Sequence, residues 1–153
     1  MARFSSDGGA VFLIGGFAQK KFEHQSKNTA KFYIQYMRIW DIDPKYLCRK
    51  HLLAEHRELH GLWNILTKHG GKGGYSRHPE TLRWLGKQKA LYNRHEALVK
   101  EFTQRGYQHH SSLDINYAIG SAKQKVLINT ITEQKILLKN KPCDCLLNIY
   151  LSK

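Results

Sequence analysis

Residues 37–69, MRIWDIDPKYLCRKHLLAEHRELHGLWNILTKH, decide the fold class. Leu47, Leu52, Leu59, Leu62, Trp63 and Leu66 recur at a roughly helical spacing, so the stretch should form a helix that buries one face. Asp43 can cap it and Pro44 suits a first helical position. The sequence HGGKGG at 69–74 should end it with a left-handed glycine and then a mobile basic loop. Downstream, His78–Pro79–Glu80 opens a second expected helix that runs to Arg105, with Gly106 as its stop and Leu82, Leu85, Leu91, Leu98 and Phe102 as its apolar stripe. YQHHSSLDIN then reads as a connecting loop. Ser121 with Gln124 forms a possible capping box for a third helix, anchored by Val126, Ile131, Ile136 and Leu138 and ended by Asn140–Lys141–Pro142.

The expected architecture is therefore all-α: a compact single domain over residues 37–153, with three main helices joined by polar loops. Residues 1–36 are Gly-rich, then Lys-, Gln- and Ser-rich, and lack sustained periodicity. They read as a poorly ordered N-terminal extension with at most a short element near Ala10–Phe17. The run GGAVFLIGGFAQKK has a short apolar core after Arg3, but its glycine pairs and missing small-x-small site argue against a signal peptide.

Twenty-five Lys and Arg against twelve Asp and Glu give a net charge of +13 with histidine neutral. That excess points to a polyanionic partner, nucleic acid first and an anionic membrane surface second. No apolar run approaches the ~20 residues of a membrane span. Cys48, Cys143 and Cys145 are too few for a disulfide framework, and a bond between Cys143 and Cys145 would be strained, as expected of a reducing cytoplasm.

On the first helix, His51, Glu55 and Glu58 fall at i, i+4 and i+7 and share a face. Lys45, Arg49 and Lys50 crowd its start, where cations oppose the helix dipole, so phosphate contact explains them better than stability does. The bland alternative is a solvated face of weak ion pairs, each contributing ~0–1 kcal/mol. His56 and His60 lie one turn apart and CDC lies near the end of the sequence, yet HRELH departs from the zincin order and a one-residue cysteine spacing departs from structural zinc sites. No metal or other cofactor is expected. GGKGG lacks the Lys-Ser/Thr ending of a P-loop.

The first stretch, together with LYNRHEALVKEFTQRGYQ at 91–108, resembles the pyrimidine-dimer DNA glycosylases of the bacteriophage endonuclease V type. The likeness rests on an order of parts: Arg one residue past the family's chain start, H-L-x-A-E-x-R-E-L, then R-G-aromatic. It covers Met37 to about Asp114 well, Ser121 to Pro142 loosely, and excludes residues 1–36. It implies a three-helix DNA repair enzyme that cuts the N-glycosidic bond at a pyrimidine dimer and nicks the abasic site, a monomer acting in the cytoplasm on the nucleoid. The nucleophile would be an N-terminal α-amine, here that of Met37, with Glu58 as its carboxylate partner. Arg38 and Arg57 match arginines that contact DNA, and His51 matches a histidine at the entrance of the same helix. Lys45, Lys50, Lys72 and Arg94 complete the expected DNA-binding set, for double-stranded DNA carrying UV lesions or abasic sites. HGLW stands where the family has a further arginine, and of its aromatic tail only Tyr150 remains.

The chemistry is sound on its own terms. A terminal amine has a pKa of about 7.7–8.0 against about 10.4 for lysine, so much of it is neutral and nucleophilic at working pH. In the chain as written the Met37 nitrogen is an amide. Three readings follow: residues 1–36 are a misassigned upstream extension, they are removed by processing, or this form binds DNA without catalysis. The alternatives to a glycosylase are a non-catalytic basic helical nucleic-acid-binding module and a metal-dependent hydrolase using His56, His60 and the terminal cysteines.

Overall fold

The computed structural model of the chain describes residues 38–146. The expectations for residues 1–36, for Met37 and for Tyr150 lie outside the described residues. Within them the chain is helical: α1 (Arg49–Thr67), α2 (Pro79–Trp84), α3 (Gln88–Gln104) and α4 (Ile131–Lys139), with single 3-10 turns at Pro44–Tyr46 and Ile115–Tyr117. No strand occurs among the described residues.

α1 owes its existence to packing rather than to its ends. No acidic residue occupies its first turn and Cys48 caps it only through an extended backbone. Its buried stripe of Leu52, Glu55, Leu59, Leu62, Trp63 and Leu66 follows the helical period. α1 packs on α3, and these residues share one core with Leu91, Leu98 and Phe102 and with Ile39, Trp40, Ile42 and Leu47 of the preceding segment. Each leucine fully removed from water contributes about 1.5–3 kcal/mol.

Three expectations need correction. The helix does not start at Asp43–Pro44: Asp43 caps a single 3-10 turn by accepting from the Lys45 N–H at 3.0 Å, Leu47 is extended so that it can bury, and the α-helix restarts at Arg49. The second helix is two, broken at Leu85–Gly86–Lys87, where Gly86 has φ +68°. The break exposes the Gly86 carbonyl to the Ser121 N–H at 2.9 Å, and the Ile119 and Ser121 carbonyls accept from Lys89 and Ala90 in the first turn of α3. The helical register shifts across it, so Leu82 and Leu85 face solvent while Thr81, Arg83 and Trp84 are buried. The third helix is capped not by Ser121 and Gln124 but by a capping box of Thr130 and Glu133. Gln124 is taken up in bridging the break, donating to the Arg83 carbonyl at 2.7 Å and accepting from Lys87 Nζ at 3.0 Å. Val126, Ile131 and Ile136 are accordingly exposed, and Gln134 and Leu138 hold α4 to the core.

Gly120 has φ +77°, and a Cβ there would lie 2.2 Å from the Gly86 oxygen. Gly120→Ala should therefore cost about 2–3 kcal/mol, the sum of a left-handed Ala and a lost backbone hydrogen bond. Urea unfolding followed by circular dichroism measures it, and an unchanged midpoint would show that the two glycines do not meet. No helix among the described residues is long and apolar enough to cross a membrane.

Candidate functional site

At about 100° per residue, the buried stripe of α1 leaves two flanks and a back. One flank carries His51 and Glu58, the other His56 and His60, and the exposed back carries Lys50, Ala54, Arg57 and Gly61. The two acids of AEHREL have different surroundings although three residues apart. Glu55 is fully buried and forms a bidentate pair with Arg94, 2.6 Å from Nε to Oε1 and 2.9 Å from Nη2 to Oε2. Arg94 Nη1 also donates to the Ile42 carbonyl at 2.7 Å, and the Trp40 N–H donates to the Glu55 carboxylate. This pair clamps the 40–42 segment against α1 and α3. Arg94, expected at the DNA, thus directs its guanidinium into the protein.

Glu58 lies one turn further on and is only half-buried. Burial raises its pKa above the ordinary carboxylate value, opposed by Arg57 and His78. It is a carboxylate on the rim of the core, beside the cationic back of the helix. Arg57, Lys50, Lys45 and Lys72 are exposed; Lys45 pairs with Asp43 at 3.3 Å and lies over the Tyr46 ring. Lys72 borders a cleft of about 420 Å³ with Ile65, His69 and Tyr75, in a loop where Gly70, Gly71 and Gly73 take positive φ. Arg38 stacks on Trp40, 4.7 Å from the ring centroid, donates to Asn129 Oδ1, and has its pKa lowered by burial. Met37 immediately precedes it, outside the described residues.

The metal-ligating side chains fall into two groups, not one. His56 and His60 do not meet the terminal cysteines; they meet His95 and His109. The cysteines meet Cys48 and His51. His51, expected at the DNA, directs Nδ1 to both Cys48 and Cys145 Sγ at 3.2 Å. Burial lowers the pKa of His51 and, with its three neighbouring imidazoles, lowers that of His56 to about 4. Burial also pushes the Cys145 thiol well above its ordinary range. Cys48-x-x-His51 was a readable signal for the second group; the joining of His56 and His60 to His95 and His109 was not, since it depends on how α1 meets α3.

No curated protein and no solved structure is a significant match to the chain. The sequence profile of the family described as pyrimidine dimer DNA glycosylase matches residues 37–115, just over half of the chain. That span opens on Met37 and takes in both acids of AEHREL, the cationic back of α1 and the whole of α3. The chain belongs to the pyrimidine dimer DNA glycosylase family.

Proposed function

We propose that this protein acts on UV-damaged double-stranded DNA as a glycosylase and abasic-site lyase, with the α-amine of Met37 as nucleophile in a form of the chain that begins there and Glu58 as its partner. The observation that carries this reading is the family match, which begins at Met37 and includes Glu58. The amine nitrogen attacks the sugar C1′ and the C1′–N bond to the base breaks, the base leaving with a proton; the C1′–O4′ bond then opens, O4′ takes up a proton, and an iminium joins enzyme and sugar. Loss of the C2′ proton then drives cleavage of the C3′–O bond and release of the 3′ phosphate, and hydrolysis of the imine frees the amine. Glu58 stabilises the cationic sugar and iminium and relays protons. Lys50 and Arg57, with only Ala54 and Gly61 between and beyond them, let a phosphate backbone approach α1 closely, and the Lys72 loop extends the basic surface. Arg38 sits next to the nucleophile. Glu55 and Arg94 position the segment that leads to it. Reaching the sugar of a stacked lesion requires kinking and a flipped base. Such an enzyme works as a monomer at the nucleoid.

A chain starting at Met37 should form a borohydride-trapped covalent complex with abasic or dimer-containing DNA, and the 153-residue chain should form at least about tenfold less. Gel shift of the trapped species reads the result. Failure of both to trap while both bind the DNA tightly would overturn the enzyme reading in favour of a binding module.

A further inference from the structure

We propose that Cys48, His51, Cys143 and Cys145 form a tetrahedral zinc site that fastens the segment after α4 to the start of α1. Their ligand atoms all lie within 4.8 Å of one another. In a tetrahedral Cys₃His site the bond lengths put sulfur and nitrogen roughly 3.5 Å apart and sulfurs roughly 3.8 Å apart. His51 Nδ1 stands 3.2 Å from both Cys48 and Cys145 Sγ. A neutral imidazole nitrogen offers one lone pair or one proton, so hydrogen bonding satisfies one such sulfur and a shared cation satisfies both. The Cys48 N–H donates to Cys145 Sγ at 3.0 Å, the backbone support that a metal-bound thiolate receives. Leu146 N–H donates to the Tyr46 carbonyl at 2.8 Å, so backbone pairing brackets the site. The cysteines are all free thiols. Soft thiolates with one imidazole select zinc among the common divalent ions, and four protein ligands make the site structural. The Trp40 ring meets His51 edge-on at 6.1 Å, so the metal also steadies the segment that runs back toward Met37.

A second, independent observation assigns a metal to His56, His60, His95 and His109. His56 Nε2 is 3.0 Å from His109 Nε2 and 3.2 Å from His60 Nε2, near the roughly 3.3 Å between nitrogens on one tetrahedral zinc. His95 is completely buried, and its Nε2 has no hydrogen-bond partner. Its Nδ1 is 2.9 Å from Glu96 Oε1, the carboxylate–histidine arrangement that aims the other nitrogen's lone pair at a metal. The Ser111 backbone hydrogen-bonds to His60 and His109 and fixes their rings. Four imidazoles take a borderline divalent ion, zinc foremost.

The test uses the full chain, purified without chelator, with zinc as the probe. Elemental analysis should give two zinc per chain. Cys145→Ser and His95→Phe should each reduce this to one. Replacement by cobalt in the unsubstituted chain, which needs no variant to fold, should give thiolate charge-transfer absorption that Cys145→Ser abolishes and His95→Phe leaves intact. Thiol titration of the native protein should find the cysteines protected until a chelator is added. Less than a tenth of an equivalent of zinc with freely reacting thiols, or a disulfide found by mass in place of metal, would overturn the cysteine site. One zinc per chain that Cys145→Ser removes entirely would overturn the histidine site. None of these outcomes depends on glycosylase activity.

Discussion

Glu58→Gln, in a chain starting at Met37, should lose at least about a hundredfold in strand cleavage while its affinity for abasic DNA changes less than about threefold. The amide has the shape of the carboxylate and is only half-buried, so the fold should tolerate it. What it lacks is the negative charge that meets the cationic sugar and iminium, and the basicity that moves the C2′ proton. Single-turnover nicking of an abasic oligonucleotide gives the rate, fluorescence anisotropy the affinity, and circular dichroism the fold. Glu55→Gln is the contrast. Its carboxylate holds the Arg94 fork and the Trp40 N–H in the core, so the loss there should appear as lower stability before it appears in chemistry. Equal cleavage by Glu58→Gln and the parent chain would remove Glu58 from the mechanism and leave the acid's role unassigned.

That contrast also marks how far the sequence can be read. The body of α1 was legible because leucines at helical spacing have one low-energy way to bury together. The family resemblance was legible because AEHREL and RGY lie in a fixed order. Spacing alone does not tell Glu55 from Glu58; the resemblance singles out Glu58, and the burial of Glu55 depends on Arg94, which α3 delivers. The break at Gly86 was hidden for a similar reason. A lone glycine in a long periodic stretch reads as tolerated, whereas its cause is Gly120, remote in sequence and pressed against its carbonyl. Thr130 and Glu133 carry the same capping signature as Ser121 and Gln124, and the choice between them is made by the Arg83 carbonyl, which captures Gln124. Cys48-x-x-His51 and Cys143-x-Cys145 are each legible as a pair, but their meeting is not, because spacing rules apply within one segment while these four side chains come from two.

Arg83→Met should cost about 3–5 kcal/mol, a fifth or more of the roughly 5–15 kcal/mol that stabilises a domain. Arg83 is almost fully buried and joins three segments. Its guanidinium donates to Glu80 Oε1 at 2.7 Å, to Asp41 Oδ1 at 2.8 Å, and to the Ile39 and Val126 carbonyls at 2.7 and 3.1 Å. Lysine cannot reproduce this, because one ammonium has no planar fork to reach all four acceptors. Removing the arginine leaves the Glu80 carboxyl in the core without its cation; among the described residues the Trp84 indole N–H, at 3.0 Å, still donates to it. Burial already raises the Glu80 pKa and Arg83 opposes that rise, so its loss should raise it further. A carboxyl whose folded pKa lies above its unfolded value near 4.3 binds more protons when folded, so stability increases as pH falls. The deficit of Arg83→Met should therefore shrink between pH 7 and about 5. The double variant Glu80→Gln/Arg83→Met should recover part of it at pH 7, since the buried charge of Glu80 is then absent and Asp41 still accepts from the Gln134 amide at 2.9 Å. Urea unfolding of the three chains at both pH values reads all of this. A deficit below about 1 kcal/mol, flat with pH, would mean that Glu80 and Asp41 find water when Arg83 is gone, and that the 39–41 segment is not held by this pair.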